Sequence, residues 1–214
     1  KMSMEALAQL VADQRVSIED REQYHRIINS FIDLYGKYPV QTLNNTYWQG
    51  IKIYKIPTDL WVYQELIYKL KPTVIIEMSN DEGGSALYFA DMMKLNKTFG
   101  VVVSIHQDGI QIDERVKKDI LVRIIEGDSK HEEILDMVKI YIGQFDKVMV
   151  VVNDINEADM YGKFVSVGMP LIIEKSNNYN TIQWIKENPQ FKVDVMCEKF
   201  MLTQNRNGFL ERVK

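Results

Sequence analysis

A chain of 214 residues with 46% apolar and 26% charged content carries enough hydrophobic side chain for one sizeable core. Its net charge of −4, with Lys and Arg scattered among acids, leaves no electrostatic footprint for nucleic acid, and no apolar stretch reaches the length needed to span a bilayer. The single Cys197, flanked by Val195, Met196 and Phe200, excludes an internal disulfide and reads as a buried thiol in a reducing, cytoplasmic compartment, while Lys1 ahead of Met2 reads as an appended residue or a domain cut from a longer protein.

From about Ser3 to Gly36 the apolar residues Leu7, Leu10, Val11, Ile27, Ile28, Phe31, Ile32, Leu34 and Tyr35 recur at helical spacing. They predict one or two helices that cover the domain or pair with another chain, so residues 1–43 form a helical extension to a domain spanning 44–214. Pro39, Pro57, paired asparagines and Gly50 mark residues 36–58 as an irregular connection. Thr58 or Asp59 then caps a helix through Leu70, with Leu60, Trp61, Tyr63, Gln64 and Ile67 supplying its contacts.

The segment from Lys71 to Ala90 carries the strongest signal. Val74, Ile75 and Ile76 form a short β-branched run between Pro72 and Glu77, as a buried parallel strand does. An acidic turn follows, with Asp81, Glu82, Gly83 and Gly84, and opens a helix predicted over Ser85–Leu95 with Ser85 as a capping residue. Strand, glycine-containing turn and helix are the architecture of a nucleotide-type cofactor site. Gly83 and Gly84 admit close backbone approach, and Glu77 is placed at the carboxyl end of the strand, where open α/β sheets bind ligands.

Thereafter strands alternate with helices: strand 101–105, a charged segment to about Asp119, strand 122–125, helix 131–142, strand 148–152, a short helix near 158–164, strand 171–173, helix 182–187, strand 191–195 and a last strand around 200–204. Such alternation implies βαβ units, an α/β fold with a mostly parallel sheet, and an antiparallel edge from the two late strands. Of the aromatic residues, Trp61 reads as part of a helical apolar face and Trp48 as a pocket wall that stacks on a sugar ring.

Several segments resemble the cephalosporin hydroxylase family, which includes rhamnosyl O-methyltransferases: residues 47–50 (Tyr-Trp-Gln-Gly), 56–67, Lys71-Pro72, 75–77 (Ile-Ile-Glu), 83–87 (Gly-Gly-Ser-Ala-Leu), 127–129 (Gly-Asp-Ser) and the tail from Glu198 to Leu210. The resemblance spans roughly residues 44 to 212. It implies a Rossmann-like class I methyltransferase fold with an antiparallel final strand, S-adenosylmethionine as cofactor and a sugar or glycosylated small molecule as acceptor. On that resemblance the cofactor is held by Glu77, Ser79, Gly83, Gly84, Ser85, His106, Asp128 and Ser129. A sulfonium suits the acidic Glu77, Asp81 and Glu82, while Asp128 either accepts from the adenine amino group or caps the helix that follows.

The chain also departs from the pattern. His106 stands where the family places an acid for the ribose hydroxyls, and Ser79 where the first turn usually has glycine. The family's magnesium ligands, Asp-Ser-x-His after the fourth strand and Glu-Asp after the fifth, become Asn153-Asp-Ile-Asn156 and Glu174-Lys175. Only Glu174 matches, and an ammonium beside it disfavours a divalent ion. Two readings follow. In one, a metal-free O-methyltransferase uses Asp154, Glu174 or a neutral Lys175 to take the acceptor proton. In the other, the fold survives as an inactive binding or assembly module in which Lys175 pairs with Glu174. A homo-oligomer or a neighbouring glycosyltransferase domain is a natural context for either.

Overall fold

The computed structural model describes residues 18–37, 41–143, 145–176 and 179–214. The part of the expected N-terminal helices before residue 18 lies outside them. Within them, α1 (Ile18–Lys37) precedes a 3₁₀ turn (Thr42–Asn45) and a two-stranded hairpin, β1 (Tyr47–Trp48) and β2 (Ile51–Lys52). Residues 36–58 are thus not wholly irregular. Gln49 and Gly50 both take positive φ, 48° and 81°, as a two-residue hairpin turn requires.

A seven-stranded sheet forms the body. Its strands are β3 (Val74–Ser79), β4 (Val101–His106), β5 (Val122–Glu126), β6 (Val148–Val152), β7 (Pro170–Ile173), β8 (Phe191–Val193) and β9 (Phe209–Arg212), in the spatial order β5-β4-β3-β6-β7-β9-β8. β3 to β7 are parallel, and β9 runs antiparallel to both β7 and β8. The helices α2 (Pro57–Leu70), α3 (Gly84–Leu95), α4 (Glu114–Lys117), α5 (Glu132–Ile142), α6 (Ile155–Tyr161) and α7 (Tyr179–Glu187) cover its two faces.

Strand alternation assigns the core. Ile75, Val102, Met149, Val151 and Ile172 pack with Val62, Ile67, Phe89 and Met93 of α2 and α3. Their neighbours Val74, Ile76, Val103, Val150 and Ile173 pack with Leu135, Val138, Tyr161 and Trp184 on the other side. With both faces covered, β3, β4 and β6 are buried at every position.

Several expectations are corrected. β3 runs on through Glu77 to Ser79 because these residues continue in register with Ser104, Ile105 and His106. The last strand is at 209–212, not 200–204: Phe200 and Met201 are exposed and offer no face to bury, whereas Phe209 and Leu210 are each 1% exposed. The 202–204 loop is instead tied to α2, with Thr58 Oγ1 donating to Leu202 O (2.5 Å) and Gln204 N donating to Asp59 Oδ2 (3.1 Å). Neither Thr58 nor Asp59 therefore caps α2; Ile56 holds that position, with Pro57 as first helical residue. Trp61 is 58% exposed rather than core. Trp48 leans on α3, edge-on to Tyr88 with Nε1 donating to Asp91 (2.8 Å). Cys197 is buried, and burial pushes its thiol pKa up.

Candidate active site

The strand order reverses direction between β3 and β6, and a crevice opens there at the carboxyl ends of the strands. One cavity of about 260 Å³ is lined by Ser79, Asn80, Gln107, Asp128, Ser129 and Glu157, among others. A second, of about 60 Å³, lies between Ser79, Asp81 and Ser85 on one side and Lys55, Glu174 and Lys175 on the other. A third, of about 400 Å³, is bounded by Asp154, Asn156, Glu174, Lys175, Asn180 and Thr181. Asn153 borders all three, so they form one continuous groove.

On the β3 side, Ser79 Oγ donates to Asp81 Oδ1 (3.0 Å), which also accepts from Gly83 N (2.8 Å), and Ser85 Oγ lies 3.4 Å from Ser79 Oγ. Asp81 thus fixes the turn, while Glu82 is exposed. Gly83 caps α3 in place of Ser85, with φ of 97°. Both glycines are required by the protein's own chain. A Cβ on Gly84 would stand 2.1 Å from Lys52 O, and one on Gly83 would stand 2.9 Å from Val116 Cγ1. Neither lines the groove.

Glu77 is fully buried, two residues before the end of β3 rather than at its tip. The Ser104 hydroxyl donates to its Oε1 (2.7 Å), and His106 Nε2 lies 2.8 Å from the same hydroxyl. With Glu77 ionised, the Ser104 hydroxyl donates to it and accepts from His106, which corresponds to the Nε2–H tautomer. Glu77 Oε2 and His106 Nδ1 are left buried without a hydrogen bond. Burial raises the Glu77 carboxyl to about 7 against the pull of Lys55, and burial lowers the His106 imidazole.

At the next loop Asp128 is exposed and borders the cavity of about 260 Å³. It does not cap α5: His131 holds that position, and Asp128 Oδ1 accepts from Lys130 N (2.9 Å). Ser129 Oγ donates to Glu157 (2.6 Å), whose other oxygen accepts from Asn153 N (2.8 Å). Sequence reasoning missed Glu157. Its signal was the spacing Asp154-x-x-Glu157, an N-cap acid followed three residues later by glutamate.

The β6–β7 side is self-contained. Asp154 caps α6, its Oδ1 accepting from Asn156 N (2.8 Å) and Glu157 N (2.9 Å), and its Oδ2 is 3.5 Å from Lys130 Nζ. Glu174 pairs with Lys55, not with Lys175: Lys55 Nζ is 2.5 Å from Oε1, which also accepts from the Tyr63 hydroxyl (2.6 Å). Lys175 sits at φ 52° with its N–H donating to Asn205 Oδ1 (3.2 Å), and it borders the groove. Lys55 and Tyr63, both central here, were not singled out as site residues from the sequence.

Among the described residues, no group of three or more His, Cys, Asp or Glu side chains converges as metal ligands do, and no helix is long and apolar enough to cross a membrane.

These features were compared with known proteins. A Rhamnosyl O-methyltransferase from Mycobacterium leprae (strain TN) is 29% identical over 217 residues, covering 89% of this chain and 90% of its own. A CmcI apo-structure superposes with a TM-score of 0.66 at 16% identity (86% of this chain, 84% of that one), and a CmcI structure with Mg and SAM gives 0.65 at 16% identity over the same shares. At such identity the superpositions establish the fold, a Rossmann-like methyltransferase fold with an antiparallel last strand. The family model "Rhamnosyl O-methyltransferase/CmcI" matches residues 40–179, well over half of the chain, and the chain belongs to this family.

Proposed function

We propose that the protein is an S-adenosylmethionine-dependent O-methyltransferase acting on a hydroxyl of a sugar, such as a rhamnosyl unit, or of a glycosylated small molecule. Family membership sets the reaction class. The observation that carries the reading in this chain is the pair of buried atoms without a hydrogen bond, Glu77 Oε2 and His106 Nδ1, on residues next in chain to Met78, Ile105 and Gln107, which line the cavity of about 260 Å³. Buried polar atoms without partners are costly, and a ligand offering N–H and O–H donors satisfies both.

The residues fit the cofactor. Glu77 and Asp81 supply negative charge for a sulfonium and an amino group, His106 Nδ1 accepts from a ribose hydroxyl, and Asp128 with Ser129 borders the cavity where an adenine fits. Gly83 and Gly84 hold the turn that presents Ser79 and Ser85. When bound, the cofactor supplies an electrophilic methyl carbon whose bond to sulfur breaks as the acceptor oxygen attacks, leaving a neutral thioether.

The acceptor is placed in the cavity of about 400 Å³, where Asn153, Asn156, Asn180 and Thr181 offer the amides and hydroxyl that bind sugar hydroxyls. Glu174, at the junction of cofactor and acceptor cavities, takes the hydroxyl proton, and Lys175 orients the acceptor beside it. Asp154 is spent on capping α6 and keeps the β6 loop in shape. Residues 1–43 are read as a helical extension and 44–214 as the methyltransferase domain. A homo-oligomer or an adjoining glycosyltransferase domain, in a reducing cytoplasmic setting, fits the same reading.

Calorimetric titration with S-adenosylmethionine and S-adenosylhomocysteine tests the cofactor, and methyl transfer to rhamnosyl glycosides tests the acceptor. Micromolar cofactor binding is expected. Absence of binding at millimolar ligand would leave the inactive, assembly-module reading.

A further inference from the structure

Lys55 precedes α2 by two residues and belongs to no motif, yet its side chain is driven into the centre of the groove. The residue is 6% exposed, and its ammonium lies over the rings of Tyr63 (5.6 Å) and Phe89 (6.0 Å) and 2.5 Å from Glu174 Oε1. Burying an ammonium is costly unless opposite charge compensates it. Here the compensation is Glu174, in direct contact with the ammonium.

A divalent cation is the group that the family would place against this glutamate, and the donors present do not fit one. Asn153, Asn156 and Lys175 replace three oxygen or imidazole ligands, and among the described residues no acidic cluster takes their place. The cavity on the Lys55 side of Glu174 holds about 60 Å³.

We propose that the Lys55 ammonium is the resident cation of this site, a positioning residue that occupies the side of Glu174 a divalent ion would use and fixes that carboxylate between the cofactor and acceptor cavities without a metal. Tyr63 completes the arrangement through its hydrogen bond to the same oxygen, and Asn205 Nδ2 donates to the Tyr63 hydroxyl (3.3 Å). Glu174 then serves as the partner of Lys55, and a lysine at 175 is compatible with a site that holds no metal.

The probe is Mn²⁺, followed by electron paramagnetic resonance on the full chain, in wild type, Lys175→Asp, and Lys175→Asp combined with Lys55→Met. Wild type is expected to leave the free Mn²⁺ signal unchanged up to millimolar protein. Lys175→Asp restores one acid but keeps the resident ammonium, so it binds weakly. Removing Lys55 from that background is expected to tighten Mn²⁺ binding at least about tenfold. Should Lys55→Met fail to fold, Lys55→Gln keeps a donor to Glu174 without the charge and takes its place. Micromolar Mn²⁺ binding by wild type, or equal binding with and without Lys55, overturns the proposal. The inference rests on the family assignment but not on the acceptor. Mn²⁺ is read without cofactor or sugar, so a failed transfer assay and a failed metal assay remain distinguishable.

Discussion

On the β3–β4 side of the groove, carboxylate, hydroxyl and imidazole form a buried line from Glu77 through Ser104 to His106 that ends in two atoms without a hydrogen bond, whereas on the β6–β7 side Asp154 and Glu174 are each engaged within the protein. Asp154 is a helix cap and Glu174 is held by Lys55 and Tyr63. The first side carries stored desolvation cost that a ligand can relieve; the second carries geometry. Cofactor affinity should therefore depend on the first side, and acceptor positioning on the second.

The largest effect on this contrast should come from the turn that supports the β3 side. Gly84→Ala places a methyl on the Lys52 carbonyl and is expected to cost about 3 kcal/mol or more in urea denaturation, or to abolish folding. A loss below about 1 kcal/mol would mean that the hairpin does not press on α3. Next, Glu77→Gln should weaken S-adenosylmethionine binding at least about tenfold while leaving thermal stability equal or higher, because a buried carboxylate is removed. Asp154→Asn keeps a capping side chain and should change cofactor affinity less than about threefold. Equal losses in the two variants would erase the distinction between the sides.

The pH dependence sharpens it. Burial holds the Glu77 carboxyl of the folded protein above the ordinary 4.5 of a glutamate, and Asp59 is likewise raised by burial to about 7 from 3.8. Between those values the folded state holds protons that the unfolded chain has released. Stability of the ligand-free protein is therefore fullest below the unfolded values and declines as pH rises through about 7. A cationic ligand favours the ionised Glu77, so S-adenosylmethionine should bind more tightly at pH 8 than at pH 6, with a larger rise in Tm. S-adenosylhomocysteine, lacking the sulfonium charge, should show a smaller change. Identical pH profiles for the two ligands would place the sulfonium away from Glu77.

Smaller effects test the β6–β7 side. Tyr63→Phe removes the hydroxyl shared by Glu174 and Asn205 and should cost about 1–2 kcal/mol in chemical denaturation. Trp61→Ala, at an exposed position, should stay within about 0.5 kcal/mol of wild type.

How much of this was legible in the sequence follows from the range of the forces involved. Runs such as Val101–Val103 and Val148–Val152 declare buried parallel strands by themselves, since only a sheet covered on both faces buries every position. Ser79 and Asp128 could be placed beside the groove because the ends of parallel strands put them there, whereas Glu77 lies buried two residues inside β3. The last strand was misplaced by several residues because Phe200 and Met201 look as apolar as Phe209 and Leu210, and only the fold decides which pair is covered. Trp61 failed for the same reason: helical spacing shows which residues share a face, not whether anything packs on it.

By itself the sequence determined the α/β order, the glycine turn at 83–84, the changed residues at 153, 156 and 175, and the likeness to a methyltransferase family, all of them local patterns or direct identities. Only the tertiary structure decided that Glu174 pairs with Lys55 rather than with adjacent Lys175, and that Glu77 and His106 keep atoms without a hydrogen bond. Those outcomes depend on contacts across long sequence separations, 119 residues between Lys55 and Glu174. The strength of such charge pairs is set by burial, which no stretch of sequence specifies alone.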